Sequence, residues 1–182
     1  MEEYLFQKEK ADILSKKDKS KKGSIDEKIK PLMGLINNKK EYFTTSSCSG
    51  RVKILKPKLI KKNTEWFLNY HDLINKNKIN ELYSLQEKGR WLRAEGPIIH
   101  IRAVNIEKAN LLADVFRKSG WKKTSIKRTS PNIIIEAKTS QVIYLPFENL
   151  SKKYIEKLTE EINTNLKKGW LLIERVSKEL KK

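Results

Sequence analysis

Apolar residues recur along the chain in two rhythms, and the changes of rhythm divide it into elements. Tyr4, Leu5, Ala11 and Leu14 are scattered through Glu2 to Ser15, which reads as a helix of modest amphipathicity. Ile25, Ile29, Leu32 and Ile36 repeat at helical spacing and predict one apolar face ending near Asn37-Asn38. Ser24 is its expected N-cap, with Asp26 and Glu27 in the first turn, where the helix dipole favours negative charge. The rhythm then shortens. Tyr42 to Thr45, Arg51 to Leu55 and Thr64 to Tyr70 predict strands, with Ser46 to Gly50 as a turn of small residues and a lysine-rich turn after Pro57. Leu73 to Gln86 reads as a helix. Trp91 to Ala94 and Ile98 to Val104 read as strands around a Gly96-Pro97 break.

The next stretch is the clearest. Asn105 caps a helix that buries Ile106, Ala109, Leu112, Ala113 and Phe116, and Gly120 stands where a left-handed residue ends it. Trp121 to Lys127, Asn132 to Glu136 and Gln141 to Leu145 predict three further strands. From Leu150 onward, Ile155, Leu158, Ile162, Leu166, Trp170, Ile173, Val176 and Leu180 keep helical spacing, with Gly169 as an expected break. The order predicts an α+β protein: a mixed β-sheet containing a β-α-β-β-β unit, flanking helices and a long C-terminal helix, in one domain over 1–182. The glycines do not form G-x-G-x-x-G or a Walker loop, so a doubly wound, Rossmann-type sheet is not indicated.

Charge adds a partner to this picture. Forty Lys+Arg stand against 22 Asp+Glu, a formal charge of +18, which favours a polyanion such as nucleic acid or an anionic membrane surface. Lysine-rich surfaces also occur in hyperthermophile proteins, but thermophily does not explain the imbalance of sign. Cys48 is the single cysteine, so no internal disulfide, zinc ribbon or iron–sulfur cluster can form within one chain. The N-terminal stretch lacks the apolar core of a signal peptide, and no apolar run approaches the roughly 20 residues of a membrane span. The expectation is a cytoplasmic protein with no membrane partner and no metal.

Several segments are candidates for chemistry. Thr44 to Arg51 joins small hydroxyl residues to Gly50 and a planar guanidinium, a combination that can turn tightly around a carboxylate or phosphate. Ser and Gly also dominate ordinary turns, with Cys48 then a small buried hydrophobe. His71 and His100 are the only histidines and can each serve as a general base, donor or RNA contact. The alternative for each is a structural histidine with satisfied nitrogens. His100 interrupts the apolar run Ile98-Ile99-His100-Ile101, where a polar side chain must find a partner or line a cleft. The basic run Ser15 to Ser24 suits phosphate contacts or simple solvation. Trp66, Trp91, Trp121 and Trp170 suit base stacking or core packing.

Four segments in register resemble the tRNA wybutosine-synthesizing protein 3 family. They are Leu14 to Asp26, similar to a D-x-S-x-K-G-x-x-D element; Phe43 to Arg51; Trp66 through His71; and Leu92 through Glu95 and His100 to Ser119-Gly120-Trp121, closing at Pro146. The likeness covers roughly residues 14 to 147 and leaves 150–182 as a less diagnostic helical segment; Thr124-Ser125-Ile126 stands where the family pattern has Ser-Gly-Ile. The resemblance implies methyl transfer from S-adenosylmethionine to N4 of a tricyclic guanosine derivative at position 37 of tRNA(Phe), with the anticodon stem-loop as partner. On that reading Ser46, Ser47, Ser49 and Gly50 hold cofactor or base, and Arg51, His71 and His100 are catalytic candidates. Asp18, Ser20, Lys22 and Asp26 form a second element near the substrate. The competing reading is a non-catalytic RNA-binding or assembly module on the same basic surface.

Overall fold

A computed structural model describes residues 2–16 and 25–182. Its elements in chain order are α1 (Glu2–Leu14), α2 (Lys30–Asn37), β1 (Tyr42–Cys48), β2 (Arg51–Lys56), β3 (Glu65–Tyr70), α3 (Lys76–Ser84), β4 (Trp91–Glu95), β5 (Ile98–Ala103), α4 (Ile106–Lys118), β6 (Lys123–Arg128), β7 (Ile134–Lys138), β8 (Val142–Pro146) and α5 (Lys152–Glu179). The class is α+β. The strands form two four-stranded sheets, ordered β1-β5-β7-β6 and β3-β2-β4-β8, and every ladder in both is antiparallel. The expected single mixed sheet is thereby corrected. The β5-α4-β6 crossover exists, but β7 is inserted between its two strands, while β8 pairs with β4 in the other sheet.

The chain falls into two compact units. The first comprises residues 1–49, 97–140 and 170–182; the second comprises 50–96 and 141–169. In the first, Ile99, Ile101, Ile135 and Ala137 project from one face of their sheet into a core with Leu32 and Ile36 of α2, Leu112, Ala113 and Phe116 of α4, and Trp121. Asn105 caps α4 by accepting the Lys108 N–H at 2.9 Å, and Gly120 takes φ +97° beyond its end, both as the sequence predicts. In the second unit the buried apolar side chains come from Val52, Ile54, Leu92 and Ala94 of the sheet and from Ile155, Leu158, Ile162 and Leu166 of α5.

Three boundaries differ from the sequence expectation, each for a local reason. The helix expected from Ile25 begins at Lys30, with Pro31 in its first turn, because Asp26 is engaged elsewhere; the expected cap Ser24 lies outside the described residues. The helix expected from Leu73 begins at Lys76, where the Asn75 side chain accepts the Lys78 N–H. Gly169 does not break α5: it is buried within the continuous helix, and packing on the apolar stripe outweighs the roughly 1 kcal/mol that glycine costs there.

Candidate active site

The sheet of the first unit buries one face and carries polar side chains on the other. Antiparallel register sets Ser46 of β1 opposite His100 of β5, His100 opposite Glu136 of β7, and Glu136 opposite Ser125 of β6. One row of side chains therefore crosses four strands. Ser46 Oγ lies 2.8 Å from His100 Nδ1, and His100 Nε2 lies 3.2 Å from Glu136 Oε2. Lys127 and Lys138 approach Glu136 Oε1 at 3.3 and 3.7 Å. Burial works to raise the Glu136 carboxyl pKa, but hydrogen bonds from Lys127 and His100 and the Lys138 charge overcome it, so the net shift is downward. An ionised Glu136 can only accept. The Nε2 proton is thereby assigned from its partner, leaving Nδ1 with the lone pair that accepts the Ser46 hydroxyl.

Access to this face is graded. At Arg102, two residues along β5 from His100, α1 covers the sheet: Phe6 lies 5.3 Å from Phe43 between ring centroids, and Glu9 pairs with Arg102 at 3.4 Å. Beyond that cover, Ser46 is exposed and the His100 side chain is 31% accessible. The row offers the hydroxyl of an exposed serine, backed by an imidazole whose far nitrogen is held by a carboxylate. That arrangement can take a proton from a nitrogen or oxygen acid.

The hydroxyl-rich segment is mostly strand. Ser46, Ser47 and Cys48 continue β1 in register with β5, and only Ser49-Gly50 turns, which corrects the expected five-residue turn. Ser47 Oγ donates to the Met33 sulfur at 3.0 Å. Ser49 is buried and gives both its N–H, at 2.9 Å, and its hydroxyl, at 3.1 Å, to Asp26 Oδ2. The carbonyl of Ser49 accepts the Trp170 indole N–H at 3.0 Å, with the Lys28 ammonium 4.1 Å from that ring's centroid. Asp26 thus occupies the converging donors that the sequence suggests for an external anion. Gly50 takes φ +110°, and a Cβ there would come within 2.9 Å of Leu166 Cδ2.

The remaining candidates divide between the units. His71 follows β3 in the second unit, half-buried. Arg51 begins β2 in that unit and pairs with Glu95 at 3.4 Å, alongside Lys53 at 2.5 Å and Arg93 at 2.6 Å to the same carboxylate. Asp18, Ser20 and Lys22 lie outside the described residues. Sequence reasoning missed Glu136 and Lys53. The signal for Glu136 was an acid within an otherwise apolar strand, Ile133-Ile134-Ile135-Glu136, mirroring His100 in its own apolar run. Trp121 is core, and no helix among the described residues is long and apolar enough to cross a membrane.

Comparison with known proteins extends over nearly the whole chain. Residues 8–182 match a family model described as Methyltransferase TYW3. A "tRNA(Phe) 7-((3-amino-3-carboxypropyl)-4-demethylwyosine(37)-N(4))-methyltransferase 1" of Pyrococcus abyssi is 32% identical over 157 residues, 81% of each chain. A protein of the same activity name from Thermococcus sibiricus is 29% identical over 97% of this chain and 94% of its own. The "tRNA wybutosine-synthesizing protein 3 homolog" of Danio rerio is 28% identical, covering 94% of this chain and 73% of its own. Among solved structures, the PH1069 protein from Pyrococcus horikoshii superposes with a TM-score of 0.85 at 26% identity, over 99% of this chain and 98% of its own.

Proposed function

The chain belongs to the Methyltransferase TYW3 family and is a tRNA methyltransferase, and we propose that the Ser46–His100–Glu136 row takes up the proton its reaction releases. Its substrate is tRNA(Phe), methylated at N4 of the 4-demethylwyosine-type base at position 37 in wybutosine biosynthesis. The observation that carries this function is the family match over residues 8–182, joined by relatives named for that activity. The same finding sets aside the non-catalytic RNA module.

The methyl donor is S-adenosylmethionine, which supplies an electrophilic methyl carbon on a sulfonium sulfur. Of the four residues assigned to it from sequence, Ser46 fits a direct contact, because its hydroxyl is exposed. Ser47 and Ser49 do not, since their hydroxyls are committed to Met33 and Asp26; they and Gly50 shape the strand end instead.

The chain's own residues account for the proton. N4 bears a hydrogen before methylation and must lose it as its lone pair becomes a bond to carbon. The hydroxyl of the exposed Ser46 accepts that hydrogen while passing its own to His100 Nδ1, and Glu136 stabilises the imidazolium that results. Arg51 orders the Glu95 cluster, and His71 is the second candidate acceptor. The anticodon stem-loop is the part of tRNA that presents position 37, and the cytoplasm is where this chemistry belongs for a basic chain with one cysteine.

Steady-state kinetics test the row. His100→Ala is expected to lower kcat by about 10²- to 10⁴-fold, the usual contribution of a positioned general base. Glu136→Gln should lower it less and leave the donor's Kd unchanged. Wild-type turnover in His100→Ala would remove the assignment.

A further inference from the structure

The second sheet also has a face that is exposed at its outer strands and buried at its centre, around Leu55 and Lys53. In β3-β2-β4-β8 the register places Trp66, Leu55 and Trp91 in one row and Asn69, Lys53, Arg93 and Tyr144 in the next, all on the side away from the buried Val52, Ile54, Leu92 and Ala94. β8 alternates so that Val142, Tyr144 and Pro146 are exposed. Trp66 is 48% and Tyr144 50% accessible, large rings left in water on a sheet that covers its other face. Trp91 stacks on Tyr144 with centroids 4.7 Å apart at 26°, which fixes the tyrosine ring as a flat surface. Cations interleave with the rings: Lys53 lies 5.3 Å from the Trp66 centroid and Arg93 5.8 Å from the Tyr144 centroid. Against Lys53, Arg93 and Arg51 the cluster sets one acid, Glu95, so the face stays positive.

We infer that this face is a platform on which unpaired RNA bases stack. Exposed rings on a four-stranded sheet suit base π-faces, and the half-exposed Arg93 suits a phosphate between them, while the buried Lys53, paired with Glu95, adds charge beneath the rings. Trp66 and Tyr144 stand in neighbouring rows on the two outer strands, which are three strand spacings or about 14 Å apart, leaving room for more than one nucleotide. A duplex cannot use this chemistry, because its bases are already stacked on one another. An acidic protein surface would meet the cations but has no use for flat, exposed rings. The inference deepens the tRNA reading and rests on it: the occupant is the unpaired nucleotides of the loop that carries the target base.

The full-length protein is titrated with two unmodified RNAs, a single-stranded oligonucleotide of loop sequence and a fully paired hairpin stem, in wild-type, Trp66→Ala, Tyr144→Ala and Arg93→Gln forms. Both aromatic side chains are half-exposed, and unchanged unfolding midpoints confirm intact folds. The expected result is wild-type preference for the single strand and a roughly tenfold affinity loss for each aromatic variant. Arg93→Gln should flatten the salt dependence by about one phosphate contact. Equal affinity of wild type and both aromatic variants for the single strand overturns the platform. The assay needs neither methyl donor nor precursor base, so a failure of the methylation reading is recorded separately, as absent turnover by a protein that still binds the strand.

Discussion

Gly50 shows how much a single position at a strand junction decides. Its φ of +110° is a region L side chains rarely adopt, and a Cβ would stand 2.9 Å from Leu166 Cδ2 and 3.1 Å from the Glu95 carbonyl oxygen. Gly50→Ala is therefore expected to cost about 2 kcal/mol, as a lower denaturant midpoint at unchanged m-value. Gly34 makes the contrast within the same chain. It sits inside α2 with nothing within 4 Å of a Cβ, so Gly34→Ala should raise stability by roughly 0.5–1 kcal/mol in the same measurement. The turn glycine was readable from Ser49-Gly50-Arg51. Its crowding was not, because Leu166 and Glu95 approach it only through the fold.

At the scale of elements, the ion cluster on β2 and β4 makes a pH prediction. Burial works to raise the Glu95 carboxyl, but hydrogen bonding from Lys53 and the charges of Lys53, Arg93 and Arg51 hold it below its ordinary range. Its folded pKa lies below its unfolded one, so in the window between them the unfolded chain binds more protons and stability rises with pH. The stabilisation is complete above the ordinary glutamate range, about 4.3, and is lost as pH falls through the depressed folded value. Glu95→Gln, which leaves the nearly inaccessible Lys53 without its anion, should cost about 3 kcal/mol at neutral pH, with the difference from wild type narrowing below pH 4. Element types were largely legible, since α4, α5 and the strands at Ile98 and Asn132 announce themselves by period and caps. Pairing was not. No local pattern says that β7 inserts between β5 and β6, so Glu136 could not be matched to His100 beforehand. Ser46 and Ser47 look like turn in the sequence because a strand with an exposed hydroxyl face shows no apolar alternation, and the register shift between Thr44 and Ser46 hides it further.

The whole molecule is dominated by its charge of +18, and that makes binding of tRNA a matter of counterion release. Affinity for tRNA(Phe) should fall steeply and log-linearly with salt, while affinity for the methyl donor should change little over the same range; filter binding and calorimetry across a salt series read the two. Composition could announce the nucleic acid, but only the family motifs and the comparisons name the reaction. The most direct test of that reaction is mass analysis of nucleosides from precursor tRNA(Phe) after incubation with the protein and S-adenosylmethionine. The account predicts one added methyl group on the modified base at position 37, assigned to N4 by fragmentation, and a rate lowered at least a hundredfold in His100→Ala. An unmethylated base with folded, tRNA-bound wild-type protein, or a methyl group on any other atom, would contradict it.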